Sequence, residues 1–186
     1  MSFASVHQVQ AHLFLTGYYG MREADLKELG VTLLVDASNV PNDRDVTSSE
    51  TRAQQQNIET IRIKVDDEED APLHEHFEIV ADRIDSERIS GGKTMVFCAM
   101  GISRSSTLCI AYLVKHQQMT LREAYLHCKK ARPHICPNNG FWQQLIDYER
   151  KIRGENSVTM TSGRYMGTCP DILLGMNIGE KDKKQT

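Results

Sequence analysis

The chain has 186 residues, 40% of them hydrophobic and 25% charged, which fits one globular domain of ordinary size with room for a proper core. A formal net charge of −3 leaves no basic footprint for nucleic acid or an anionic membrane, and no apolar run approaches the roughly 20 residues of a membrane span. Five cysteines (Cys98, Cys109, Cys128, Cys136 and Cys169) are odd in number and lack paired spacing, which argues for reduced thiols over a disulfide framework or a zinc site.

The first residues carry neither the charged nor the apolar region of a signal peptide. Cytoplasm is therefore the expected compartment, with the nucleus as a second. Residues 6–10 and 13–15 read as two short strands of alternating apolar positions, the second closed by Gly17. Residues 21–29 form a short helical pattern that ends at Gly30, a suitable C-terminal cap. The β-favouring run 31–35 is continuous and predicts a strand buried on both faces. Residues 38–57 are polar and turn-rich, the composition of a surface loop. Ile61, Ile63 and Val65 then alternate with Arg62 and Lys64, as a half-exposed strand does.

An acidic loop, residues 66–72, precedes Leu73, Phe77, Val80 and Ile84 at helical spacing. Gly91 and Gly92 end that helix. Thr120-Leu-Arg-Glu123 fits a capping box and opens a helix to about residue 132. A connector with Pro133 and Pro137 follows, then a last clear helix over 139–152 with Phe141, Leu145, Tyr148 and Ile152 along one face. Strands alternating with helices predict an α/β fold: a central, mostly parallel sheet of about five strands flanked by helices. Residues 1–153 form the expected catalytic domain. Residues 154–186 are glycine-rich, with a charged end and the apolar patch Ile172-Leu-Leu174, and are expected to be an extension, partly packed and partly disordered.

The chemistry concentrates in Met95-Val-Phe-Cys-Ala-Met-Gly-Ile-Ser-Arg-Ser-Ser106. An apolar strand, a tight loop and a buried apolar helix (108–114) in that order place the loop at a helix N-terminus, where free N–H groups and the dipole favour an anion. Cysteines in such loops titrate at roughly 3.5–7.5 instead of about 8.5. Arg104 offers a planar fork for two phosphoryl oxygens, and Gly101 lets the backbone curl so that successive N–H groups point inward. The bland alternative is a buried, inert cysteine ahead of a core helix.

A cysteine followed by five residues, Arg104 and Ser105, with Ala111-Tyr-Leu113 behind them, resembles the signature loop of cysteine-dependent protein phosphatases. More narrowly it is similar to the small atypical dual-specificity phosphatases, over about residues 6–152. The resemblance implies hydrolysis of phosphotyrosine and phosphoserine/threonine on proteins through a phosphocysteine, with no cofactor or metal. It makes Cys98 the nucleophile, with Cys98, Ala99, Met100, Gly101, Ile102, Ser103 and Arg104 binding phosphate, the middle five through backbone N–H groups. Ser105 assists breakdown of the intermediate, or caps the helix. The departing oxygen needs an acid. In the family the acid lies ten residues before the aromatic that starts a helix face. Counting back from Phe77 gives Asp67, with Asp66 the alternative.

Arg132-Pro133, Pro137-Asn138 and Gly140-Phe-Trp142 resemble a family motif and are expected to be structural. Ser157-Val-Thr-Met160 and Pro170-Asp-Ile172 look like the tail of a branch that includes small MAP-kinase-directed enzymes, so MAP kinases join phosphoproteins generally as expected partners. Phe97 stands where the family usually has histidine, and Met100 where alanine or a polar residue is commoner. The first departure keeps a second reading open, a phosphoprotein-binding module of weak turnover. A sulfur-transfer or arsenate-reducing enzyme would want a second functional cysteine, and Cys109 falls on the helix. Phosphoinositide and RNA-triphosphate enzymes of this fold favour basic or histidine residues inside the loop, and Ala-Met-Gly-Ile-Ser has none.

Overall fold

The computed structural model of the chain describes residues 5–39, 58–163 and 167–178, so most of the expected 38–57 loop lies outside the described residues. Strands β1 (His7–Gln10) and β2 (Leu13–Gly17) form an antiparallel pair. A 3-10 turn at Tyr18–Gly20 and helix α1 (Glu23–Leu29) lead to β3 (Leu33–Asp36), and β4 (Glu59–Arg62) follows. A second 3-10 turn, Leu73–His76, runs into α2 (Phe77–Ile89), then come β5 (Thr94–Cys98) and α3 (Arg104–His116). Helices α4 (Leu121–Ala131) and α5 (Asn139–Arg153) complete the part of the chain read as the catalytic domain.

The sheet has the order β1-β2-β5-β3-β4 and is parallel except for β1. It is the expected mostly parallel five-stranded α/β sheet, with β5 at its centre. The alternation of β5 sends Met95 and Phe97 to one face, among Phe14, Met21, Leu26 and Leu34. Val96 and Cys98 face the other side, where α2, α3, α4 and α5 build the larger core. Helix α3 is buried at every residue from Arg104 to Val114, which explains why its apolar run shows no polar face. It packs against α2, α4 and α5 at once. The capping box of α4 is formed, Thr120 Oγ1 accepting from the Glu123 N–H and the Glu123 carboxylate from the Thr120 N–H.

Strand ends shift by a residue or two from the sequence reading, and two differences bear on the packing. Strand β4 ends at Arg62, so Ile63 and Val65 are buried beyond its end instead of alternating within it. The extension carries more regular structure than its composition suggests. β6 (Met160–Gly163) and β7 (Gly167–Pro170) form a hairpin, followed by α6 (Asp171–Ile178). Val158 and Ile172 join the main core, with Leu173 packed against it. The fully buried Glu149 carboxylate accepts from the Leu121 N–H (2.7 Å), the Ser157 N–H (2.7 Å) and the Ser157 hydroxyl (2.8 Å). Arg122 donates to the Ser157 carbonyl at 3.0 Å and to Asp171 at 2.7 Å.

Candidate active site

Cys98 ends the central strand, paired in register with Gly17 of β2, and its side chain is buried in the main core. The loop that follows shows its carbonyls outward. Ala99 O accepts from the Tyr18 N–H (3.1 Å), and Ile102 O from the Cys136 N–H (2.9 Å). Met100 O and Gly101 O accept from Nη2 and Nε of Arg132 at 3.0 and 2.7 Å. Ser103 O takes the first helical bond, from the Thr107 N–H at 2.9 Å. A trans peptide sets C=O and N–H on opposite sides, so carbonyls held outside turn the following N–H groups toward the interior. The Gly101 N–H already donates to Cys98 Sγ at 3.2 Å.

Gly101 is required twice over. Its φ is +69°, and a Cβ there would lie 2.4 Å from the Thr16 carbonyl oxygen. The loop is thus pressed against the end of β2, its curl fixed by contact as well as by hydrogen bonds.

The structure brings the expected side chains together around this loop. Ser105 Oγ donates to Cys98 Sγ at 3.2 Å. It does not cap the helix, which starts one residue earlier, with Ser103 at the N-cap position. Arg104 is buried, and its Nη1 donates to the carbonyls of Ser38 (3.0 Å) and Val65 (3.2 Å). Its Nε has no hydrogen bond among the described residues and stands 3.7 Å from Asp67 Oδ2. Asp67 Oδ1 accepts from Ser103 Oγ (2.7 Å) and Asn138 Nδ2 (3.0 Å). Asp66 is turned away, accepting from Asn39 Nδ2 at 2.6 Å. Between the two candidates, only Asp67 reaches the loop. His74 is exposed, and its N–H donates to Gln144 Oε1 at 2.8 Å.

Three features exceed the sequence reading. Arg132, expected to be structural, is fully buried and grips two loop carbonyls, with Nη1 on the Ser5 carbonyl at 2.9 Å. Burial draws its guanidinium down while the Cys98 sulfur pulls it back up, so a positive charge stands behind the loop. Ser103, expected to act through its backbone N–H with its side chain mattering less, uses its hydroxyl on Asp67 and accepts from the Asn138 N–H at 3.2 Å. Asn138 does the same from the start of α5. The motif around Pro137-Asn138 was the available signal, but nothing in it names the partner.

Phe97 is fully buried on the opposite face of β5, its ring 6.3 Å from that of Tyr18. Cys109 and Cys128 are buried, and desolvation pushes both thiols up, Cys109 well above its ordinary value. Neither is placed to act as a second reactive thiol. Among the described residues no group of three His, Cys, Asp or Glu side chains stands ready for a metal ion.

Comparison with known proteins follows the same lines. The family model for the dual specificity phosphatase catalytic domain matches residues 13–151. Human dual specificity protein phosphatase 14 is 39% identical over 169 residues, covering 90% of this chain and 80% of that protein. Human DUSP28 superposes with a TM-score of 0.70 at 31% identity, over 80% of this chain and 95% of that one. A mouse dual specificity phosphatase complexed with zinc tungstate gives 0.70 at 30% identity, over 80% and 89%. A chain that matches this catalytic domain over most of its length, in sequence and in fold, belongs to the dual specificity protein phosphatases, hydrolases of phosphoric monoesters on proteins.

Proposed function

We propose that Cys98 carries the phosphoryl group. The observation that bears most weight is the ring of outward carbonyls from Ala99 to Ser103, which leaves a cup of N–H groups over the thiol. The Cys98 thiolate attacks phosphorus, an S–P bond forms, and the P–O bond to the tyrosine, serine or threonine breaks. Asp67 gives its proton to the departing oxygen. Water then attacks the phosphocysteine, Asp67 takes back a proton, and the S–P bond breaks to release phosphate. The Ser105 hydroxyl, already on the sulfur, steadies the thiolate as it leaves.

Arg104 holds two backbone carbonyls with one nitrogen and keeps Nε for the substrate. An incoming phosphate competes with Asp67 Oδ2 for that nitrogen, which frees the carboxyl for proton transfer. The mouse relative's tungstate is a tetrahedral oxyanion, which accords with phosphate as the group bound. On the finer level we assign phosphorylated kinases of the MAP-kinase type as substrates, on the likeness of the tail, and cytoplasm or nucleus as the setting, where five thiols remain reduced.

The test sets wild type beside Cys98→Ser and Arg104→Ala on an aryl phosphate and a phosphopeptide. Both variants should lose turnover, and only the serine variant should still bind phosphopeptide, because it keeps the N–H cup and the arginine fork. Substantial turnover by Cys98→Ser excludes the phosphocysteine. Phe97 favours a second reading, a phosphoprotein-binding module. Binding by wild type with no turnover on either substrate selects it.

A further inference from the structure

The acid-bearing loop does not hang free over the site. It is seated on the first turn of α5. Asn138 caps that helix through Oδ1, which accepts from the Phe141 N–H at 2.9 Å. A backbone N–H can only donate, so the carbonyl end of the amide faces the helix and the amino end faces Asp67 Oδ1 at 3.0 Å. One side chain therefore closes a helix and fixes a carboxylate. Two residues on, a Cβ added to Gly140 would lie 1.7 Å from the Glu69 carbonyl oxygen. That space is filled by the backbone of the acidic loop. One turn further, Gln144 Nε2 donates to the Ala71 carbonyl at 2.8 Å while its Oε1 accepts from the His74 N–H at 2.8 Å.

We propose that Asn138 and Gly140 are positioning residues for the general acid: the start of α5 is a socket that seats the Asp67 loop. The inference rests on the assignment of Asp67 as acid. The residues are far apart in the chain, 71 positions for Asn138 and Asp67, so helix packing is what brings the acid to the thiol. A loop released from the socket leaves the N–H cup, Cys98 and Arg104 intact. Only the step that needs a proton suffers.

Two variants separate this from a general structural role. Asn138→Ser keeps a good cap but lacks the amide that reaches Asp67. Gly140→Ala puts a better helix former into α5 and drives the Glu69 backbone away. Catalytic efficiency is measured on p-nitrophenyl phosphate, an activated leaving group, and on a phosphoserine peptide, a poor one. General acid catalysis is typically worth about 10²–10⁴-fold. Each variant is expected to lose about 10- to 100-fold on the peptide and no more than about threefold on the aryl phosphate. In an Asp67→Asn background the same substitutions should cost less than about twofold on the peptide. Equal losses on both substrates, or a full loss that persists without Asp67, overturn the socket alone. If Asp67→Asn itself shows no leaving-group dependence, the acid assignment falls and the socket with it.

Discussion

At the scale of single residues, Phe97 is the departure that bears on catalytic power. It sits one position before Cys98 but on the other face of the sheet, in an apolar pocket with Met21, Leu34 and Met95. From there it fills space behind the strand and donates nothing to the loop. The loop has other supports: Arg132, the Tyr18 and Cys136 N–H groups, and the contact of Gly101 with β2. These account for a loop that keeps its shape without a histidine. A histidine at this position would add one hydrogen bond, worth about 0.5–1.5 kcal/mol net, and 1.36 kcal/mol is about tenfold in rate. Phe97→His is therefore expected to raise catalytic efficiency on an aryl phosphate about two- to tenfold. The ring's other nitrogen would lie unpaired in the apolar pocket, so thermal stability should fall by a few degrees, roughly 1–2 kcal/mol. An unchanged rate would show that the existing supports already saturate loop order.

At the scale of elements, the loop after Cys98 belongs as much to the α4–α5 connector as to β5 and α3. Arg132 comes from the end of α4, yet its fork is what turns two loop carbonyls outward. Arg132→Met keeps the length and removes the donors. The buried oxygen of Gly101 would then lack its partner, at about 1–3 kcal/mol, the Met100 oxygen would lose its anchor, and the positive charge behind Cys98 would be gone. Turnover should drop by at least about tenfold on activated and poor leaving groups alike, because the cup serves both. Parallel assays of Arg132→Met and Asn138→Ser would show this contrast. A leaving-group dependence in Arg132→Met would place it with the acid instead of the cup.

The local parts of this arrangement were legible in the chain. β5, the loop and α3 are contiguous, and each announces itself by an apolar run, a glycine and a small-residue stretch. Asp67 was legible only through its distance from Phe77, a count that leaves Asp66 open; in space the two part, Asp66 bonding to Asn39 and Asp67 to Ser103 of the loop. Arg132 and Asn138 carried a pattern without a partner, since the atoms they hold lie 31 and 71 residues away. The hydroxyl of Ser103 gives no signal in the chain for a related reason, its acceptor being on another loop. In the extension, strands of four residues are too short for alternation to stand out against glycines.

At the scale of the whole molecule, the extension adds to the core. Val158, Cys169 and Ile172 are buried, and Asn139 at the start of α5 donates to the Thr168 carbonyl at 3.0 Å. Glu149 is the sensitive point. Two of its three donors come from Ser157, so a chain ending at Arg153 would leave a buried carboxylate with the Leu121 N–H as its one remaining partner in this network. An under-satisfied buried charge costs about 1–3 kcal/mol or more, and each large apolar side chain taken from the core adds about 1.5–3 kcal/mol at full burial. Taking about 3 kcal/mol as the net effect, and about 2–4 °C per kcal/mol for a chain of this size, the truncated protein should melt roughly 6–12 °C lower. Among the described residues, the hydrogen bonds and ion pairs of Cys98, Arg104 and Asp67 all stay outside the extension, so turnover of an aryl phosphate at 20 °C below the new midpoint should stay within about threefold of wild type. Calorimetry beside that assay decides the matter. An unchanged midpoint would make the extension an appendage, and a collapse of turnover at preserved stability would tie it to the site through Asn139.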